Sequence, residues 1–122
     1  MKTILLLFGI LFAFTTFQSV QAQSDKYQRH IGVKTETIKV SGACGMDKQR
    51  IESTALKVEG VTAASWNVNT QVLTITYSIF SKNASDDVQK KIADAGNDTE
   101  QYLATDAQYN ALPVCCHYRK QS

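Results

Sequence analysis

Two runs of alternating apolar and polar residues flank Asn69-Thr70-Gln71. Before this turn Trp66 and Val68 fall on one side of the chain, and after it Leu73, Ile75 and Tyr77 do. A period of two calls for extended backbone with one buried face, and a short polar turn between two such runs calls for an antiparallel hairpin. A lone hairpin is barely stable in water, so its apolar face needs cover. Segments on either side supply it. Asp47 opens one in which Ile51, Ala55, Leu56 and Val58 recur at helical spacing; Asp47 stands at or near its N-cap and Gly60 closes it. Ser85 opens the other as N-cap. Asp86 and Asp87 face the helix dipole there, Val88, Ile92 and Ala95 form the apolar face, and Gly96 stops the helix.

Lys34 to Val40 alternates and places Ile38 and Val40 on one side, which predicts a first strand. Asp98 to Leu103 predicts a fourth. Ala104 to Leu112 is weakly helical and Pro113 ends it. The order β-α-β-β-α-β defines an α+β fold, the ferredoxin-like sandwich: a four-stranded antiparallel sheet with two helices on one face, followed by a cysteine-containing C-terminal tail.

The chain has 122 residues and begins with Met1-Lys2-Thr3, an apolar run from Ile4 to Phe14, and small residues up to Gln21-Ala22-Gln23. This is the pattern of a secretory signal peptide cleaved after Ala22; the apolar run falls short of the roughly 20 residues that span a bilayer. The expected organisation is therefore a signal peptide over 1–22, a polar linker over 23–33, a domain over 34–104 and a tail over 105–122. The mature chain is expected to be exported and not membrane-spanning. Thiols in such compartments are oxidised or occupied by metal. With 13 basic and 11 acidic residues scattered along the chain, nothing suggests a nucleic-acid surface.

Three cysteines cannot all pair with one another. Cys44 lies in the glycine-flanked loop Ser41-Gly42-Ala43-Cys44-Gly45-Met46, just before a helix N-terminus. The helix dipole and free N–H groups there favour the thiolate, which is both nucleophile and metal ligand. The plainer alternative is a small buried hydrophobe. The second feature is Leu112-Pro113-Val114-Cys115-Cys116-His117-Tyr118. Adjacent cysteines rarely bridge each other, and Cys115, Cys116 and His117 offer soft and borderline metal donors. The alternative is a frayed tail with a disulfide to Cys44 or to another chain. Met46 adds a thioether beside Cys44, at a place that in metal-binding loops of this fold more often packs into the core. Asp47 reads as a cap, His30 as an exposed linker residue, and Trp66, Tyr77, Tyr102 and Tyr109 as packing. No Ser-His-Asp set, phosphate loop or paired-carboxylate site is present, so no enzymatic role is expected.

The tail must reach the loop for the cysteines to meet. A fourth strand of about six residues carries the chain roughly 20 Å to the far end of the sheet. Six helical residues and five extended ones span about 25 Å, so Cys115 can just return.

From Lys34 to Leu103 the chain resembles a heavy-metal-associated domain, the soft-metal module of copper chaperones and metal-pumping ATPases, in its exported bacterial variety. The likeness rests on Gly42 to Glu52, Val58-Glu59-Gly60-Val61, Ala64 to Val68, Ile92 to Thr99 and Leu112 to Tyr118. The family loop carries two cysteines separated by two residues; Cys44 occupies the first place and Asp47 the second. Carboxylate is a hard ligand, so either Cys115 and Cys116 supply the missing sulfur, with His117 a fourth candidate, or the site is degraded, or a different metal is used. The resemblance implies a periplasmic protein that captures a soft ion, Cu(I) above Zn(II) or Hg(II), and passes it on as a metallochaperone or transport accessory. Its partners would be the ion and a metal-transporting membrane protein, the chain itself a monomer or weak dimer. Two alternatives keep the fold without that role: a Cys44 disulfide stapling the tail, or a metal-free interaction domain.

Overall fold

A computed structural model describes residues 32–120; the segment expected to be a signal peptide, the expected linker up to residue 31 and His30 lie outside the described residues. The elements are β1 (Val33–Lys39), α1 (Gly45–Leu56), β2 (Val61–Asn67), β3 (Val72–Ser78), α2 (Ala84–Asp94), α3 (Asp106–Asn110) and a single 3-10 turn over Val114–Cys116. No helix among the described residues is long and apolar enough to cross a membrane.

The three strands form an antiparallel sheet in the order β1-β3-β2. Its register sets Ile38 and Trp66 on either side of Leu73, and Glu36 and Ala64 on either side of Ile75. Ile38, Trp66, Leu73, Ile75 and Tyr77 thus share one buried face, which Ile51, Ala55 and Val58 on and after α1 and Val88 and Ile92 on α2 cover. Each fully buried apolar side chain contributes about 1.5–3 kcal/mol. Trp66 also donates its indole N–H to the Val40 carbonyl at 2.9 Å, tying β2 to the end of β1. Glu36 accepts hydrogen bonds from Tyr77 (2.7 Å) and Ser85 (3.0 Å), fixing β1 to α2.

Several details differ from the sequence reading. Leu56 is exposed, because the apolar stripe runs through Ile51, Ala55 and Val58, and the residue after Ala55 turns about 100° off it. Val68 lies in the turn, a four-residue connection in which Asn67 Oδ1 accepts the N–H groups of Asn69 and Thr70. The N-cap of α2 is Asn83; Ser85 spends its hydroxyl on Glu36. Ala93 replaces Ala95 on the buried face. Gly96 does stop α2: with φ +110° it lets Asn97 N–H reach the Ile92 carbonyl and its own N–H reach that of Ala93.

The fourth strand is not there. Only one isolated bridge, Val40 to Thr99, survives of it. The backbone of this segment folds on itself: Thr99 N–H donates to the Tyr102 carbonyl at 2.8 Å, and Ala104 N–H to the Asp98 carboxylate at 2.8 Å. The Lys39 N–H, which a fourth strand would have bonded, donates instead to the Glu100 side chain at 2.6 Å. The chain therefore never travels to the far end of the sheet. The tail starts beside the Cys44 loop, with Ser41 N–H bonded to the Asp98 carbonyl.

Because Trp66 is buried in the core and ties β2 to the end of β1, Trp66→Ala is expected to cost about 3–5 kcal/mol of unfolding free energy. Denaturant titration followed by circular dichroism reads this directly.

Candidate metal centre

The loop after β1 is shaped by two contacts. Gly42 lies against the Trp66 ring so closely that a Cβ there would stand 2.8 Å from the ring edge. Asp47, in the first turn of α1, is wholly buried and turns back to accept the Ala43 N–H at 2.6 Å. Its other oxygen takes Arg50 (2.5 Å) and the Asn97 amide (3.0 Å), and Asn97 also donates to the Ser41 carbonyl at 2.9 Å. Every acceptor of the carboxylate faces the protein, and Cys44 is left at the N-cap with its thiol half-exposed.

The tail is fastened to the same end. Thr105 and Gln108 form a reciprocal cap at the start of α3. Leu112 and the Gln108 carbonyl press on Gly96, where a Cβ would come within 2.9 Å of both. Arg119 clamps Asp98 with two nitrogens (2.8 and 3.2 Å), donates to the Ala104 carbonyl (2.7 Å) and lies over the Tyr109 ring. Burial alone would raise the Asp98 carboxyl, but the Arg119 guanidinium holds it below the usual range. Tyr118 receives the Asp98 N–H and donates to the Gly96 carbonyl; burial pushes its phenol up to about 12. Tyr109, Leu112 and Cys116 form a second small core against Cys44 and Tyr118.

This docking gathers the sulfurs. Cys44, Cys115 and Cys116 have their Sγ atoms all within 4.8 Å of one another. Cys44 and Cys116 are 3.2 Å apart and Cys115 and Cys116 3.9 Å. All three are free thiols, Cys116 buried and Cys115 exposed. They are not equivalent. The backbone N–H of Asp47, and then the Cys116 thiol, lower the Cys44 pKa from the ordinary thiol value. Burial pushes Cys116 up to about 11, although the Arg50 guanidinium, 3.6 Å from its sulfur, works against this. Cys116 is therefore harder to deprotonate than Cys44, and an ion that uses its sulfur must displace that proton.

The geometry suits one thiophilic ion. Two sulfurs bound to a common ion at about 2.3 Å stand about 3.8 Å apart in tetrahedral and about 4.0 Å in trigonal arrangement. The Cys115–Cys116 separation of 3.9 Å already matches, Cys44–Cys116 at 3.2 Å must open by about 0.6–0.8 Å to reach those spacings, and Cys44 and Cys115, within 4.8 Å of each other, must draw together. His117 is outside this group: its Nε2 donates to the Leu112 carbonyl at 3.0 Å and its ring packs on Tyr109. Asp47, too, faces away from the sulfurs into its own network.

Residues 37–98 match the family described as the heavy-metal-associated domain. The chain belongs to that family. Among solved structures, a protein titled CopZ metallochaperone shares 31% identity at a TM-score of 0.50, over 54% of this chain and 98% of the other. Oxidized MerP from Ralstonia metallidurans CH34 shares 24% identity at a TM-score of 0.46, over 55% and 96%. No curated protein sequence matches the chain. This heavy-metal-associated domain thus has a metal-binding fold similar to that of the CopZ metallochaperone, and two of its three clustered sulfurs come from a tail beyond the matched residues.

Sequence reasoning brought forward Cys44, Cys115 and Cys116 and missed what holds them. Arg50 could have been found as the partner of Asp47 one helical turn away, a spacing that brings side chains together. Asn97, Tyr118 and Arg119 carried no local signal, because their partners are distant in sequence.

Since Arg119 anchors the tail that buries Cys116, Arg119→Ala is expected to speed alkylation of Cys116 severalfold while leaving the sheet folded. Peptide mapping by mass spectrometry after timed iodoacetamide treatment would show it.

Proposed function

We propose that this protein is an exported carrier of a soft metal ion, Cu(I) in first place, which it holds through Cys44, Cys115 and Cys116 and passes on by ligand exchange. The reading rests on one observation above the others: thiols from two segments about 70 residues apart in the chain lie within 4.8 Å of one another beside a heavy-metal-associated loop. Cys116 supplies the second sulfur at the place where the loop offers Asp47. Soft thiolates favour Cu(I), whereas a four-coordinate Zn(II) site takes a further Cys, His or carboxylate. His117 and Asp47 are engaged elsewhere. The exposed Cys115 gives a partner's thiolate a point of attack, so that one sulfur can bind before another leaves. The signal-peptide pattern of residues 1–22 supports export, and a metal-transporting membrane protein is the natural recipient.

Competition titration of the reduced protein with a Cu(I) chelator tests this. Cys44→Ser and Cys116→Ser are each expected to weaken binding by about 100-fold or more, a loss of about 2.7 kcal/mol; equal affinity in wild type and Cys44→Ser would refute the role of Cys44. The apparent affinity is also expected to rise with pH from neutrality towards about 11, because the proton on Cys116 competes with the ion below that value. A pH-independent affinity would mean that Cys116 is not a ligand.

The 3.2 Å contact between Cys44 and Cys116 favours a second state. Under a thiol oxidant these two sulfurs are the pair placed to join, closing the site and leaving Cys115 free. Non-reducing peptide mapping of freshly isolated protein would find a Cys44–Cys116 crosslink if this state is populated.

A further inference from the structure

Beside the three thiols lies a fourth sulfur. Met46, the second residue of α1, is half-exposed, and its Sδ stands 3.6 Å from Cys115 Sγ. The sequence led us to expect a core residue here; the structure turns the side chain outward, along the open side of the cluster. An exposed methionine by itself signifies little, but this one directs its only polarizable atom at an exposed thiol that borders the candidate site.

We infer that the Met46 thioether is a fourth sulfur donor to the ion and makes the site selective for Cu(I) over Zn(II). The inference rests on the three-thiolate reading above and extends it. Three observations carry it. The first is the Sδ to Sγ contact, which puts the thioether at the rim of the cluster rather than in the core. The second is the state of the other nearby donors: the Asp47 carboxylate is consumed by Ala43, Arg50 and Asn97, and His117 Nε2 by the Leu112 carbonyl. The third is charge. Three thiolates around a monovalent ion leave two excess negative charges, and the Arg50 guanidinium beside Cys116 is already paired with the Asp47 carboxylate. A neutral donor completes the shell without adding to that excess, as a fourth thiolate or a carboxylate would. Thioether sulfur is a ligand for Cu(I), whereas Zn(II) in proteins draws on thiolate, imidazole and carboxylate. Met46 and Cys115 are both exposed, so the thioether lies on the solvent side of the cluster.

The sequence makes a clean experiment possible, because its two methionines are Met1 and Met46 and the first falls in the signal peptide. Selenomethionine incorporation into the chain starting at Gln23 behind a removable leader places selenium at position 46 alone. Selenium K-edge absorption is expected to show a copper scatterer when one equivalent of Cu(I) is added and no zinc scatterer when Zn(II) is added. In parallel, Met46→Leu, which keeps the volume and removes the sulfur, is expected to weaken Cu(I) binding about tenfold with Zn(II) binding unchanged. Failure of wild type to bind Cu(I) would overturn both this inference and the proposed function. Tight Cu(I) binding that needs the cysteines, with no selenium–copper shell and no change in Met46→Leu, would overturn this inference alone.

Discussion

A single buried carboxylate sets the geometry of this protein's business end. Asp47 accepts the Ala43 N–H, the Arg50 guanidinium and the Asn97 amide, and through them it joins the loop after β1, the first turn of α1 and the segment after α2. Removing one partner of a buried ion pair costs about 3–5 kcal/mol, so the arrangement is stiff. Its consequences reach the sulfurs. Arg50, held by Asp47, turns its other nitrogen to Cys116, and the Asp47 backbone N–H faces Cys44. A residue that cannot offer sulfur thus orders the residues that do.

The tail meets this framework from outside. Gly96 leaves room for Leu112 and the Gln108 carbonyl, and Arg119 and Tyr118 grip Asp98 and the Gly96 carbonyl. The loss of the fourth strand is part of the same economy of space: a segment that curls at Thr99 to Tyr102 delivers the chain to α3 beside the Cys44 loop instead of at the far end of the sheet. The return journey of about 25 Å, derived from ideal element lengths, is not needed.

Much of the fold was legible because periodicity is a local property. The hairpin, both helices and the stop at Gly96 all followed from spacings within a dozen residues, and most of the buried face they predict is found, from Ile38 to Ile92, with Leu56, Val68 and Ala95 off it. What was not legible depends on long-range competition for hydrogen bonds. Asp98 to Leu103 has strand-like composition, yet the Asp98 side chain, Glu100 and Arg119 take the backbone groups and positions a ladder would have used. The candidate site divides in the same way. Cys44 announces itself by its glycine loop, and Cys115 and Cys116 by being adjacent. His117 is drawn aside by a carbonyl five residues away, and Met46 is turned outward while its neighbour Asp47 is wholly buried.

The central claim is that one ion bridges the loop and the tail. Copper K-edge absorption of the full chain carrying one equivalent of Cu(I) addresses it without relying on affinity. The account predicts a first shell made only of sulfur, with at least three scatterers, which loses a scatterer in Cys116→Ser. A shell containing nitrogen or oxygen, or one that Cys116→Ser leaves untouched, would contradict it.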